Sequence, residues 1–270
     1  MHSNAAIDEL ERTCNECVAL VHEWAAIANL QGQPESVLRV IRQMLVPVLY
    51  SAWERAFVAS TSVSLRFLIS HGERNADLGI RLRALLMQSA SFYKSFFQKH
   101  LNSLVLTGEN AGKGAFTRLA EFAAEHDRWL ASRPSFPASG VEELVMTFSN
   151  VDHKVLKLHL ELLGMDTADL RVADSVIDLQ PLGTLIGRRN DISHGGLISD
   201  VGTAELQGLL EFVPKLISAY IEAQCRLVRN HAAREARMTF LKRRRDTQAS
   251  RATPVRSLSS VHPRKARAPR

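Results

Sequence analysis

No uncharged apolar run in this chain is long enough to cross a bilayer. The most apolar stretch, Val37 to Ile69, is interrupted by Arg39, Arg42, Glu54, Arg55 and Arg66, whereas a spanning helix needs about eighteen uninterrupted residues. No membrane association is expected. Cysteine is scarce as well: Cys14, Cys17 and Cys225 are an odd number without framework spacing, which excludes a disulfide scaffold and fits a reducing cytoplasm. Cys14 and Cys17 form a C-x-x-C, but no second pair, adjacent Gly or Pro turn, or βαβ pattern accompanies it, so two small residues on a helix are expected rather than a zinc or redox site. The other histidines, His153 and His159 among them, lack carboxylates at ligand spacing, so no metal and no cofactor are expected. Asp8, Glu9 and Glu11 break the amino-terminal region before an apolar core could form, so no secretory leader is expected and the location is read as cytoplasmic.

The glycine-lysine run Thr107 to Gly114 invites comparison with a phosphate-binding loop. It lacks the Gly-Lys-Ser/Thr ending and a preceding strand, and reads as a turn. A basic excess is also missing from most of the chain. Ten of the 34 Lys and Arg lie in residues 241–270 against one acid, Asp246, leaving 24 basic and 27 acidic residues for positions 1–240. The body is therefore slightly acidic, and the net +6 resides in the carboxy-terminal segment. With Pro254, Pro263 and Pro269 and few apolar residues, 242–270 reads as a disordered basic tail. Lys242, Arg243, Arg244 and Arg245 would grip nucleic acid without regard to sequence, or simply keep the protein soluble.

Strand alternation is absent; helical periodicity fills the chain. Helices are expected from about Ala5 to Asn29, with Ile7, Leu10, Cys14, Cys17, Val21 and Trp24 on one stripe, and from Pro34–Ser36 to Ile69, bent at Pro47 and stopped at His71-Gly72. Further helices are expected at Leu78 to Gln88, Ser91 to Leu101, Phe116 to Leu130, Val141 to Ser149, Val155 to Leu163 (closed by Gly164), Val176 to Arg189, and Thr203 to beyond Leu241 across Pro214. The reading is an all-α bundle: one domain over 1–241, without internal repeats, followed by the tail.

Chemistry is concentrated in Arg188-Arg189-Asn190-Asp191-Ile192-Ser193-His194-Gly195-Gly196. Arginine is a permanent cation with a planar fork suited to phosphate, and histidine exchanges protons near neutral pH. An arginine five residues before a histidine is a cheap pattern, and it recurs here at Arg66/His71 and Arg226/His231. Context chooses among the three. Only Arg189 is followed by an amide, Asn190, and only His194 is followed by two glycines, where a helix stops and backbone can approach a ligand. Arg66 to His71 reads as the end of a core helix, and Arg226 to His231 as a solvated helix face.

The segment Ile186 to Gly195, with its Arg-Asn-x-x-x-His-Gly core after an apolar helix, resembles the signature of the HEPN superfamily of helical ribonucleases and RNA-binding domains. Tyr50-Ser51-Ala52-Trp53-Glu54-Arg55-Ala56-Phe57 is similar to the aromatic, Trp-Glu-bearing early helix of bacterial HEPN branches, including the RiboL-PSP type. The resemblance covers about 36–240, with Ser193 where alanine is common. Residues 73–137 are longer than a minimal HEPN bundle requires and read as a helical insertion.

The resemblance implies a HEPN-type helical bundle with an extended middle region and a long carboxy-terminal helix. It implies a metal-independent endoribonuclease in which His194 is the general base or acid, Arg189 holds the phosphate, and Asn190 orients phosphate or imidazole, or else caps the helix. Glu54 would pair with Arg188 or Arg189, or make an ordinary intrahelical or surface contact. On a straight helix, residues 189 and 194 point about 140° apart. The resemblance therefore also implies a homodimer that sets two copies of the motif along one groove. RNA is the expected partner, and a toxin or defence role would add an antitoxin protein. The alternatives are a non-catalytic RNA-binding or scaffold protein and a regulatory partner of a nucleotidyltransferase.

Overall fold

In the middle of helix α2 (Glu35–His71) large apolar and small polar residues crowd almost every face, and this places the helix at the centre of the core. Leu45, Leu49, Tyr50, Trp53, Phe57, Leu65 and Phe67 are all buried. The computed structural model describes residues 2–28, 34–96, 111–137, 140–148, 150–194 and 201–252, without the side chains of 28, 111–116 and 242–252. Helix α1 (Ser3–Ala28) lies along α2 and buries Leu10, Cys17 and Val21, with Ile7, Cys14 and Trp24 half-buried beside them, the stripe expected from the sequence. Burial pushes all three thiols up, Cys225 to about 11, which leaves them poor nucleophiles. Gly72 caps α2 as expected, and the helix runs through Pro47.

Helix α7 (Thr203–Ala252) meets α2 through a buried polar ladder. The Thr61 and Tyr220 hydroxyls share a hydrogen bond of 2.7 Å, Ser64 donates to Gln224 Oε1 at 2.6 Å, and Gln224 Nε2 donates to Ser60 at 3.1 Å. Each bond needs one registration of the two helices, because a slip of either would strand buried polar groups. The middle of the chain contributes α3 (Ile80–Ser89), a helical stretch at 91–96 and α4 (Ala111–Ala131). Buried Asn75 donates to the carbonyl of Trp129 and the hydroxyl of Ser132, tying the start of this region to the end of α4.

Helix α5 (His153–Leu162) starts on an Asp152 cap, whose carboxylate accepts from the Lys154 and Val155 amides, and ends where Gly164 takes φ 77°. His159, fully buried within it, is structural. Its Nε2 accepts from the Met146 amide at 3.1 Å, its Nδ1 faces the Val155 carbonyl at 3.0 Å, and its ring stands edge-on to Phe57. Burial holds its pKa below the usual 6.5. The unfolded chain therefore takes up a proton that the folded one refuses. Stability from this residue is complete above the unfolded value, falls as pH drops towards the folded value, and levels off beneath it. Urea midpoints measured between about pH 8 and pH 5 should show this decline, and His159→Gln should reduce it.

Three local expectations need correction. Of the helix expected at Val141 to Ser149, the described residues 141–148 hold only a 3-10 helix, Val141–Leu144, and Ser149 lies outside the described residues. Val176 belongs to a two-residue hairpin, β1 (Arg171–Val172) with β2 (Ser175–Val176), so helix α6 begins at Gln180 and spans Gln180–Ser193. Residues 111–114, expected in a loop, are the first turn of α4, while 107–110 lie outside the described residues.

The tail boundary also moves. Backbone at Lys242, Arg243, Arg244 and Arg245 is helical, and α7 continues to Ala252. Extending an existing helix avoids the cost of nucleation, and Lys, Arg, Gln and Ala are good helix formers. Residues 253–270 lie outside the described residues. By internal contacts the chain divides into two units, Met1–Arg229 and Asn230–Arg270, a division earlier than the composition change at 242. Among the described residues no helix is long and apolar enough to cross a membrane.

Candidate active site at the end of α6

Pro181 in the first turn of α6 supplies a φ suited to a helix start. Leu182 and Leu185 are buried and Ile186 half-buried on the side that meets α2. One further turn brings Arg189 to the edge of that apolar stripe. Its guanidinium lies over the ring of Tyr50, 5.0 Å from the centroid, and its Nη1 donates to Asn190 Oδ1 at 3.0 Å. No carboxylate pairs with it among the described residues.

Tyr50 is itself fixed. Its hydroxyl accepts from the Val151 amide at 2.8 Å and donates to Glu54 Oε1 at 3.4 Å, and burial raises its pKa, which keeps the proton available for Glu54. Trp53 Nε1 donates to the Val151 carbonyl at 3.2 Å. The Trp-Glu helix and the α6 motif therefore meet through Tyr50, with Glu54 on one side of the phenol and Arg189 over the ring.

Arg188 has a different role from its neighbour. It forms a two-pronged ion pair with Glu205 in the first turn of α7, Nε to Oε1 at 2.7 Å and Nη2 to Oε2 at 2.8 Å, and this raises the pKa of the guanidinium. Of the two expectations for Glu54 the intrahelical contact is the one present: Glu54 accepts from Tyr50 one turn earlier, and Arg188 is held by Glu205. Glu205 also sits where an acid suits the positive end of a helix.

His194 follows the last helical residue of α6 and is exposed. Its φ of −90° and ψ of 7° stay close to helical, and its amide donates to the Asn190 carbonyl at 2.9 Å. The backbone from 189 to 194 is therefore essentially helical, and the two side chains leave it about 140° apart. Gly195 and Gly196, where a distortion was expected to help, lie outside the described residues.

The two control patterns are occupied by structural contacts. Arg66 pairs with Glu9 and Glu142, and His71 Nδ1 is 2.9 Å from the Phe67 carbonyl. Arg226 donates to the Asp169 carbonyl at 2.6 Å and pairs with Glu222, and His231 stands 3.7 Å from Glu235.

Comparison with known families settles where the chain belongs. The RiboL-PSP-HEPN family model matches residues 8–225. The chain belongs to the RiboL-PSP-HEPN family. No curated protein and no solved structure matches it. The RiboL-PSP-HEPN span starts inside α1, earlier than the motifs indicated, and runs through residues 73–137. HEPN domains are nuclease- and RNA-related helical domains that bind RNA and often dimerise.

Two residues of this candidate site carried no role from sequence reasoning. Tyr50 lies four residues before Glu54, a spacing that makes them neighbours on a helix, so its tie to that carboxylate was accessible. Glu205 was not, because nothing in its surroundings marks it as the partner of an arginine on another helix.

Proposed function

We propose that the protein is a metal-independent endoribonuclease whose working site combines the α6 ends of two copies. The supporting observation is the contrast between adjacent arginines. Arg188 is engaged by Glu205, whereas Arg189 lies across Tyr50 beside Asn190 with no carboxylate partner among the described residues. A cation held in place yet unneutralised can take a phosphate without first breaking an ion pair.

In this reading His194 removes the proton from a ribose 2′-hydroxyl, whose oxygen attacks the adjoining phosphorus. The bond to the 5′-oxygen breaks, and the leaving oxygen takes a proton from water, while the guanidinium on the phosphate comes from the other copy. Arg189 balances the charge that builds on the phosphoryl oxygens, and Asn190 keeps the guanidinium oriented. Products are a 2′,3′-cyclic phosphate and a 5′-hydroxyl. The near-helical path from 189 to 194 favours assembly from two chains, since one chain directs these groups to different sides. A growth-arresting or defence role under the control of an antitoxin protein completes the proposal.

The test is incubation of purified protein with RNA in excess chelator, followed by analysis of the product ends. Cleavage to cyclic phosphate ends is expected. Intact RNA beside measurable binding would instead identify a non-catalytic RNA-binding protein.

The basic cluster Lys242, Arg243, Arg244 and Arg245 is assigned a sequence-independent grip on the RNA backbone. Changing these four residues to glutamine should weaken binding at low salt. The slope of log affinity against log salt should fall by about 0.7 for each phosphate that the variant no longer neutralises. An unchanged slope would remove the cluster from the interface.

A further inference from the structure

The segment leading into α5 carries an exposed aromatic with no role in the fold. Phe148 is 73% exposed and has φ 51°, a left-handed backbone that bulky residues rarely adopt. It contributes little burial and its backbone is strained, so neither packing nor conformational preference accounts for a phenylalanine here. Phe148 borders a cavity of about 340 Å³ lined also by Asn150, Asp152, Lys154, Val155 and Leu158. That is the lower end of the range for small-molecule sites, room for one planar group.

The polar groups of this cavity are unevenly committed. Asp152 is occupied in capping α5. Asn150 Oδ1 is buried without a hydrogen-bond donor among the described residues, and the Lys154 ammonium has no ion pair among them. Val155 and Leu158 supply apolar wall. Between Asn150 and Asp152 lies Val151, the residue whose amide binds the Tyr50 hydroxyl beneath Arg189. Cavity and candidate active site are therefore one tyrosine apart.

We propose that this cavity is a base-binding subsite for single-stranded RNA. It takes a base stacked on Phe148 whose exocyclic amino group donates to Asn150 Oδ1, with Lys154 on a neighbouring phosphate. The inference rests on the RNA-cleavage reading and adds specificity to it. Adenine and cytosine present an amino group on the pairing edge, whereas uracil presents a carbonyl there. The subsite therefore favours these two over uracil.

The test uses 2′-O-methyl oligoadenylate, oligocytidylate and oligouridylate, which cannot be cut by 2′-hydroxyl attack, with binding read by fluorescence anisotropy. Phe148→Ala and Phe148→Gly should weaken oligoadenylate binding about 5- to 150-fold, the value of one stacked base. Phe148→Tyr should retain it. The glycine variant should melt at the same or a higher temperature, since it relieves the left-handed backbone, and a lowered melting temperature would make Phe148 structural and overturn the proposal. Asn150→Ala should equalise the affinities for the three oligomers. If the parent protein binds none of them, the RNA reading fails and the subsite with it. If the parent binds and both Phe148 truncations bind equally well, the subsite alone fails.

Discussion

Replacing His194 by alanine is expected to slow RNA cleavage by about 10²- to 10⁴-fold while leaving the urea midpoint unchanged. The side chain is exposed, and its backbone amide, which closes the last turn of α6 on Asn190, survives the substitution. His71→Ala, which alters a histidine resting against Phe67 at the end of α2, should cut like the parent. Arg189→Ala should lose about 10²- to 10³-fold, in the range for removing a group that stabilises developing charge. Each variant alone would be nearly inactive. Mixing them after partial unfolding and refolding separates the two geometries: if one guanidinium and one imidazole from different chains serve each site, half of the dimers carry one intact site, and roughly a quarter of the activity should return. No recovery would mean that each chain works alone or that both copies of every group are required. Cleavage by His194→Ala at the parental rate would remove the catalytic reading of the motif.

Trp53→Ala should destabilise the protein by about 3–5 kcal/mol, measured by urea unfolding. Domains of this kind hold about 5–15 kcal/mol in all, so the variant would sit close to unfolding at room temperature. The indole is wholly buried, edge-on to Tyr220 at 5.6 Å and tilted against Phe57 at 5.7 Å, and its N–H satisfies the Val151 carbonyl. Trp53→Phe keeps most of the packing but leaves that carbonyl unpaired. It should cost about 1–3 kcal/mol. Equal stabilities of the two variants and the parent would contradict the central place given to this side chain.

The helical skeleton was legible because its signals are local. The α1 stripe, the stop at Gly72, the cap at Gly164 and the Arg-Asn-x-x-x-His order all lie within a few residues of what they specify. The hairpin before α6 was not legible because its turn is built from Ala173 and Asp174, at φ 47° and 67°, rather than from the Asn-Gly or Asp-Gly pair that normally marks such turns. Gly112 and Gly114 misdirected the reading at the start of α4, since glycine disfavours helix by about 1 kcal/mol and yet helix forms there. At the site, sequence could not tell Arg188 from Arg189. Their division of labour depends on a carboxylate at position 205 and a phenol at position 50, which only the packing of α6 against its neighbours brings within reach.

The hold of Tyr50 and Trp53 on Val151 falls on main-chain atoms alone. Val151 is itself fully buried, so any apolar residue of similar bulk that keeps its N–H would be gripped in the same way, and α2 helps to set the path of this connector. Exchange among such apolar residues at 151, proline excepted, is thereby tolerated without disturbing the platform on which Arg189 rests.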